Sequence, residues 1–362
     1  MDHLRGFAAL LVLYFHGSHF IFHKIVYATP YDPVHWPRAS NPLSALVIEG
    51  HTAVSLFFVL SGFVFTVGSL DKKLHYTGFY RNRFLRTYPL FLFFLALGVV
   101  FNPSNVSAWG LLQSVLFMAN NNAAFNGGAF TYVFWSIGVE WQFYLLFPFL
   151  LLAVQKFGWK SIPLAIGVFL AVRSLIYLQV DDMRNLSYWT LVGRIDQFLL
   201  GMLAGIYYRR RFAASAGMDL FAVAATGTVL LLLFGFNRLG GGASNGWIWI
   251  FWPTLEAAAW AVFLMGYLSI ARHFNPRIGQ ALVALGAVSY SIYLGHYVVL
   301  NYFMEQNLDT VLQLNDPIGM AVFNTAVLIM PVVIGVATIT YTCIERPFLV
   351  RRRTYMEGRS GD

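Results

Sequence analysis

The stretch LRGFAALLVLYFHGSHFIFH, residues 4–23, decides the fold class. It is mostly apolar and about 20 residues long, which is the length at which an α-helix crosses the hydrocarbon core of a bilayer. The stretch has no small-residue cleavage site, and Arg5 and His16 interrupt its apolar run. We therefore interpret it as a retained first transmembrane helix and not as a secretory signal peptide.

The composition of the whole chain supports the same class. Hydrophobic residues make up 58% of the 362 residues and charged residues only 11%, whereas an average soluble domain carries about 25% charged residues. A soluble protein of this size could not cover its surface with so few charges. Disordered, collagen-like and disulfide-scaffold classes are excluded as well, since the chain is apolar throughout and has a single cysteine.

Ten stretches are long and apolar enough to be transmembrane helices, and residues 109–119 are apolar but too short to span. The ten are residues 4–23, 46–69, 85–102, 130–154, 161–178, 190–208, 218–236, 248–270, 280–304 and 318–343. No internal repeat or long linker divides them. The sequence therefore predicts an all-α polytopic integral membrane protein. A single transmembrane domain covers residues 1–345, and a short basic cytoplasmic tail covers residues 346–362.

The distribution of basic residues predicts the orientation of these spans. With the N-terminus inside, 17 of the 24 lysines and arginines fall in or near inner segments and four in outer segments. This asymmetry follows the positive-inside rule and places both termini in the cytoplasm. It also accounts for the formal net charge of +8 without nucleic acid as a partner.

Ionisable side chains within the predicted spans are costly in a bilayer, so each marks a functional site or a structural ion pair. They are Arg5, His16, His19, Glu49, His51, Glu140, Arg173, Arg194, Asp196, Glu256 and His296.

Arg5 and His16 share one face of the first helix. They are eleven residues apart, which leaves an angular offset of about 20° and a rise of about 16 Å. The pair suits a long anionic ligand that is held by Arg5 and reaches His16 with its reactive end. The alternative is a snorkelling arginine and a packing histidine. His19 and His23 extend the stripe, but no carboxylate or thiol joins them, so we predict no metal site.

Glu140 lies about 15 Å from the outer end of its span, and His16 lies about 18 Å from the inner end of the first. In a hydrocarbon core of about 30 Å the two meet near the same level, so they could form an acid–base or orienting pair. The alternative is a structural ion pair of Glu140 with Arg194 or Arg173.

Arg83 and Arg86 are three residues apart and share a helix face if the third predicted helix begins early. Guanidinium pairs clamp phosphates, although ordinary inner-side charge would also place arginines here. Ser61 and Ser291 lie in small-residue stretches inside spans, for which close helix packing is the default interpretation. We do not assign either serine as catalytic.

The outer segment MANNNAAFNGGAF, residues 118–130, is rich in asparagine. Asn120, Asn121 and Asn122 offer amide donors and acceptors that suit sugar hydroxyls, and Trp135 follows in the next span. We predict that these residues help to form the mouth for an acceptor substrate. The alternative is a flexible polar loop.

Several motifs together resemble the acyltransferase-3 family of multispanning membrane O-acyltransferases. They occur in the family's order, from residue 2 to about residue 348. They are the Arg5 to His16 spacing, FFVLSG around Ser61, RFLRTYP with Arg83 and Arg86, the set Trp135, Ser136, Glu140, Phe143 and Tyr144, SYSIYLGH ending at His296, and Glu345-Arg346-Pro347.

The resemblance implies transfer of an acyl group, often acetyl, from cytoplasmic acyl-CoA to a hydroxyl of a cell-envelope saccharide. The expected location is the bacterial cytoplasmic membrane, with the lipid bilayer as surroundings and acyl-CoA as co-substrate. Arg5 and His16 match the family's essential pair, so they enter our catalytic set together with the recurrent acid Glu140. Arg83 and Arg86 match its proposed donor-binding pair, to which we add Arg5.

Some questions stay open at this stage. The acceptor could instead be a lipid or a small secondary metabolite, and His16 could act as a base or accept the acyl group itself. Two other classes compete: a proton-coupled transporter that uses Arg5, His16, Glu140 and Asp196 as a relay, and a non-catalytic membrane subunit. The absence of paired repeats disfavours the transporter.

Overall fold

The computed structural model describes residues 1–180, 182–211, 218–312 and 314–358. The α-helices are α1 Asp2–Tyr27, α2 Pro42–Ile48, α3 Thr52–Ser69, α4 Tyr76–Phe101, α5 Ala108–Val115, α6 Phe134–Phe157, α7 Ser161–Tyr177, α8 Met183–Trp189, α9 Leu191–Arg211, α10 Met218–Arg238, α11 Ile248–Ile270, α12 Pro276–Ala287, α13 Ser289–Glu305, α14 Pro317–Asn324, α15 Met330–Thr340 and α16 Arg346–Leu349. Two π-helical turns, Thr325–Ile329 and Tyr341–Glu345, join the last three helices into one stretch.

The all-α membrane class is confirmed, and each of the ten predicted spans falls on helix. Seven helical stretches in the described part are long and apolar enough to cross a membrane, and the pair α12–α13, bent by 64°, would make an eighth. Helix α7 is apolar but has only 17 residues. Helix α9 carries Arg194 and Asp196, which lower its hydropathy. The count of ten and the side of the termini therefore stay predictions.

The predicted orientation can be tested by topology reporters. A reporter fused after Asn82 should lie in the cytoplasm, and one fused after Asp182 should lie outside, because three predicted spans separate the two positions. Alkaline phosphatase and green fluorescent protein fusions measure this. Two fusions that report the same side would contradict the topology.

Helices α3 and α9 pack in the centre of the molecule through glycines. A Cβ atom on Gly62 would collide with the backbone of Phe198, and one on Gly201 would collide with the backbone of Val59. The ring of Phe58 stacks on Phe198 at 4.5 Å between centroids. Small residues let membrane helices approach closely, so the packing interpretation of the Ser61 stretch agrees with its surroundings.

Two buried ion pairs tie α9 to its neighbours. Arg173 Nη2 lies 2.6 Å from Asp196 Oδ2, and Arg194 Nη1 lies 3.5 Å from Glu256 Oε2. All four side chains are at most 1% exposed. The arginines are therefore already paired, and the alternative that Glu140 forms a structural pair with one of them is wrong.

The basic tail folds back onto the loop after α3. Strand β1, Lys72–Leu74, pairs antiparallel with strand β2, Met356–Gly358. Asn82 Nδ2 donates to the Arg353 carbonyl at 2.6 Å, and the Arg353 amide donates back to Asn82 Oδ1 at 3.1 Å. These contacts place the start of the tail beside the N-terminal part of α4, which carries Arg83 and Arg86.

Candidate functional site

A cavity of about 90 Å³ lies between α1, α3, α4, α6 and α13, and we call it the inner cavity because it is nearer the side predicted to be cytoplasmic. The structure brings Arg5, Arg83, Arg86 and Glu140 to its wall, four of the residues predicted from the sequence. Its other lining residues are Val54, Phe57, Phe58, Ser61, Phe65, Thr87, Ser136, Ile137, Tyr144, Ser289, Tyr290 and Tyr293. A narrow, mostly apolar cavity with three arginines suits a thin ligand that carries anionic groups at one end.

Two of the three arginines have a carboxylate partner. Arg5 Nη1 lies 3.0 Å from Asp2 Oδ1, and Arg86 Nη1 lies 3.4 Å from Glu345 Oε2. Both arginines stay partly exposed, since their side chains keep 31% and 21% of their accessible surface. Both guanidinium groups are therefore accessible to a ligand without a rearrangement of the core.

Among the three arginines at this cavity, Arg83 has the fewest polar partners in the described part of the chain. It forms no ion pair with a described carboxylate, and its Nε is buried without a hydrogen-bond partner in the described part of the chain. Its guanidinium lies over the Phe65 ring at 4.8 Å and near Phe79 at 5.8 Å. Cation–π contacts hold the group in place but leave its donors free for an anion.

The tail adds a cation that sequence reasoning did not assign to the site. Desolvation and repulsion from Arg86, Arg83 and Arg5 lower the pKa of the Arg352 guanidinium. The neighbouring residue Arg353 exchanges two hydrogen bonds with Asn82, one residue before Arg83, which brings this part of the tail to the same end of α4. Spacing in the sequence could not reveal this, because the two residues are 271 positions apart.

A second cavity of about 170 Å³, which we call the outer cavity, adjoins the inner one. The two share Val54 and Tyr293 as a common wall. The outer cavity contains His16 and has a largely aromatic lining: Val12, Phe15, Tyr31, Pro33, Trp36, His51, Tyr132, Val133, Trp135, Arg184, Asn185, Tyr188 and Trp189 complete it. Arg5 and His16 thus line two adjacent cavities, which agrees with their positions on one face of α1.

The hydrogen bonds of His16 fix which of its nitrogens is basic. His296 Nδ1 lies 2.7 Å from the Tyr293 carbonyl and 3.2 Å from the Ile292 carbonyl. Carbonyls only accept, so Nδ1 of His296 carries the proton and its Nε2 accepts when the ring is neutral. His16 Nδ1 lies 3.0 Å from this Nε2 and must donate to it. The lone pair of neutral His16 is therefore on Nε2.

The expected pairing of Glu140 with His16 is not found. Glu140 lines the inner cavity, where its Oε1 accepts a hydrogen bond from Ser61 Oγ at 2.8 Å. His16 lines the outer cavity and is paired with His296. Equal depth was inferred from helix lengths alone, which cannot say which faces of two helices meet. The sequence marked His296 as costly, but no spacing rule could link residues 16 and 296.

The four predicted acceptor-binding residues line one outer groove of about 700 Å³. Asn120, Asn121, Asn122 and Trp135 all belong to it. Two hydrogen bonds hold the Asn120 side chain in place. Its Nδ2 donates to the Trp189 carbonyl at 3.0 Å, and its Oδ1 accepts from Gln142 Nε2 at 2.8 Å.

This groove adjoins the outer cavity. Both are lined by Trp135, Asn185 and Trp189. The groove therefore lies next to the cavity that holds His16. No group of three or more histidine, cysteine or acidic residues that could hold a metal ion is found among the described residues.

A polytopic membrane protein with a cationic inner cavity and an adjoining histidine-containing cavity fits a class that moves a group from an anionic donor to a second substrate. The comparison with known families agrees. The acyltransferase-3 family, described as an acyltransferase domain, matches residues 1–342. The chain belongs to this family and is a membrane acyltransferase.

Several curated relatives carry related descriptions. The acyltransferase MdmB of Streptomyces mycarofaciens is 26% identical over 73% of this chain and 72% of its own. The exopolysaccharide production protein ExoZ of Rhizobium meliloti is 27% identical over 84% of this chain and 91% of its own. The putative membrane-bound transacylase BcsY of Komagataeibacter xylinus is 24% identical over 84% and 74%. No solved structure matches the chain.

Proposed function

We propose that this protein transfers an acyl group, which we take to be acetyl, from cytoplasmic acyl-CoA to a hydroxyl of a cell-envelope saccharide. The observation that carries the proposal is the junction of the two cavities at Val54 and Tyr293, with arginines on one side and His16 on the other. Residues 1–345 would act as one domain in the bacterial cytoplasmic membrane, with residues 346–362 as a cytoplasmic tail.

The inner cavity suits the donor by charge and by shape. Coenzyme A carries a pyrophosphate and a ribose phosphate, so it needs several cationic anchors, and Arg5, Arg83 and Arg86 supply them at one cavity. Guanidinium groups bind phosphate oxygens with paired hydrogen bonds. We assign Glu140 to this donor side, where it is the carboxylate among the lining residues and where its negative charge would offset part of the repulsion among the arginines.

The length of the path suits the donor as well. Arg5 and His16 are separated by about 16 Å along α1. The pantetheine arm of coenzyme A is long, thin and uncharged, so it can extend from the arginines through the inner cavity. The thioester would then lie at the common wall of the cavities, within reach of His16 Nε2.

His16 would act as the general base in our mechanism. Its Nε2 takes the proton of the acceptor hydroxyl while the hydroxyl oxygen attacks the thioester carbonyl carbon. The new C–O bond forms, the C–S bond breaks, and the proton passes from His16 to the departing thiolate. The atoms balance without a further reactant. A neutral imidazole can do this in a membrane interior without a permanent buried charge.

The acceptor would arrive from the opposite side along the acceptor groove. Aromatic rings such as Trp135 and Trp189 together with asparagine amides suit a saccharide, which has apolar C–H faces and polar edges. The printed description of ExoZ, an exopolysaccharide production protein, supports the same acceptor class.

His296 is expected to position His16 and not to touch substrate. Replacing it by leucine removes the acceptor for His16 Nδ1–H, so Nε2 is no longer held as the basic atom. We expect kcat to fall at least about tenfold, which corresponds to losing a hydrogen bond of about 1.4 kcal/mol in the transition state. His296→Gln, whose amide oxygen can still accept, should recover most of the activity.

Steady-state kinetics of the two His296 variants measures this effect. The donor KM should not change, because His296 does not line the inner cavity. Equal losses of kcat in the leucine and glutamine variants would show that the His16–His296 hydrogen bond does not set the activity.

The proposed function can be tested by following label from radioactive acetyl-CoA. Membranes of the source organism supply the acceptor, and purified wild-type protein is added with the labelled donor. Label in the envelope glycan fraction is the expected result. Label confined to the lipid extract or to small soluble products would move the acceptor to another class.

A further inference from the structure

Four basic residues lie in the segments predicted to be outside the membrane, and they differ in their surroundings. Lys24 pairs with the buried carboxylate of Asp309. Arg38 donates to a backbone carbonyl at 2.6 Å, and Arg238 is exposed at the surface. Arg184, unlike the other three, lines the outer cavity. Basic residues are disfavoured on the outer side, so a cation in the wall of this cavity calls for a reason.

The charged end of Arg184 is free to bind a ligand. The residue is partly exposed, and its side chain has no ion pair or hydrogen bond with a described residue. Its Nε is buried, whereas neither terminal nitrogen is among the buried unpartnered atoms of the described chain. Since Nη1 and Nη2 also lack a described partner, both are accessible. The donors that can bind a ligand are therefore the two terminal nitrogens and not Nε.

An aromatic contact locates the guanidinium group at the cavity wall. Its carbon lies over the Tyr188 ring, 5.9 Å from the centroid, and the two residues are four positions apart on one face of α8. Tyr188 itself lines the outer cavity and packs against Trp135 at 5.1 Å and Trp189 at 4.7 Å between centroids. Such a contact holds a cation in place and leaves its N–H donors for an anion.

The outer cavity has no carboxylate among its lining residues to offset this charge. Asp182 is engaged by Asn185, whose backbone amide donates to Oδ1 at 3.1 Å and whose side chain donates to Oδ2. Glu49 does not line the cavity, and four other residues contact its carboxylate at hydrogen-bond distance. An unpaired cation at a largely aromatic cavity is costly, and an anionic ligand would remove that cost.

We propose that Arg184 is an acceptor-binding residue, whose terminal nitrogens bind an anionic substituent of the saccharide, a carboxylate or a phosphate group. The acceptor is then an acidic saccharide, and a neutral glycan binds less well. Guanidinium groups bind both anions with paired hydrogen bonds, so the arms of the test separate the two. This inference rests on the proposed function and adds the charge of the acceptor to it.

The test compares three variants by their apparent KM for the acceptor. Arg184→Gln removes the charge and keeps a polar side chain. Arg184→Lys keeps the charge without the paired donors. Arg238→Gln is the matched control, since it removes one charge from the same predicted side at an exposed residue that does not line the outer cavity. The acceptor is the envelope glycan fraction of the source organism, titrated against labelled acetyl-CoA.

Three preparations of the glycan fraction distinguish the two anions. One is native. In the second, carboxylates are reduced to alcohols with carbodiimide and borohydride, and in the third, phosphate esters are cleaved with cold aqueous hydrofluoric acid. The treatment that removes the bound anion should raise the acceptor KM of the wild type. On that preparation the wild type and Arg184→Gln should no longer differ, because the interaction between the two partners is already lost.

On the native glycan we expect Arg184→Gln to raise the acceptor KM at least about tenfold, as the loss of one charge-assisted hydrogen bond predicts, with kcat within about twofold of wild type. Arg184→Lys should raise the acceptor KM less, and Arg238→Gln should leave it unchanged. The acetyl-CoA KM should be constant throughout, because Arg184 does not line the inner cavity.

Two results with an active wild-type protein would overturn the assignment of Arg184. One is an unchanged acceptor KM of Arg184→Gln on the native glycan. The other is a KM raised by the same factor on all three preparations, which would show a structural role. A wild-type protein that transfers no label would instead overturn the proposed function, and this inference with it.

Size-exclusion profiles and acetyl-CoA binding identify a variant that has not folded. If Arg184→Gln does not fold, the wild type alone decides, because its acceptor KM must rise on one of the two treated preparations. A wild-type acceptor KM that is the same on all three would show that no anionic substituent is bound.

Discussion

His16→Ala should lower the rate of acyl transfer at least about 100-fold, the low end of the contribution of a positioned acid–base group. The reason is local. The hydrogen bond to His296 leaves the lone pair of neutral His16 on Nε2, and His16 lines the cavity that adjoins the proposed donor site. An alanine leaves no group there that can take the proton of the acceptor hydroxyl.

The control for this variant is His19→Ala, one turn further along α1. His19 is fully buried, and its one hydrogen bond within the described residues is to its own helix, from Nδ1 to the Phe15 carbonyl at 2.9 Å. Its loss should change transfer far less than the loss of His16. Transfer by purified protein and binding of acetyl-CoA are measured side by side. Near-normal turnover of His16→Ala would show that the histidine has a packing role.

The double variant Arg83→Ala/Arg86→Ala should raise the KM for the acyl donor by roughly 100-fold to 10,000-fold. Each lost charge-assisted contact with a phosphate costs on the order of 1.5–3 kcal/mol, and the two losses should sum to somewhat less than the additive value because the arginines are neighbours. Since the arginines hold the donor equally in the ground and transition states, kcat should change much less than KM.

Arg81→Ala is the matched control for the arginines. Arg81 lies on the same helix, but it is exposed and does not line the inner cavity. Its removal lowers the inner-side charge by one without touching the proposed donor site, so the donor KM should stay within about threefold. An unchanged donor KM in the double variant, with a raised acceptor KM, would move Arg83 and Arg86 away from coenzyme A.

The positions of the helices could be predicted well because apolar runs and their length decide them. The sequence placed Arg5 and Arg83 near helix ends on the side predicted to be cytoplasmic. That they line one cavity depends on how α1 and α4 pack, which the sequence did not show. The spacing of Arg5 and His16 on one helix is also local information, and the structure places the two residues at adjacent cavities.

Contacts between distant helices were beyond such reasoning. The partner of His16 is His296, 280 residues away, and Glu140 bonds to Ser61. Which faces of two helices meet depends on packing, such as the approach that Gly62 permits between α3 and α9. The hydropathy of the sequence does not determine which helix faces meet. The fixed tautomer of His16 likewise requires its hydrogen-bond partner, His296, to be known.

The most direct test of the account is isothermal titration calorimetry, in which acetyl-CoA is titrated into the purified protein in lipid nanodiscs. The account predicts saturable binding to the wild type, weaker binding to Arg83→Ala/Arg86→Ala, and wild-type affinity for Arg81→Ala and His16→Ala. This pattern would place the donor in the inner cavity and separate binding from chemistry. Absence of saturable acetyl-CoA binding to the wild-type protein would contradict the account.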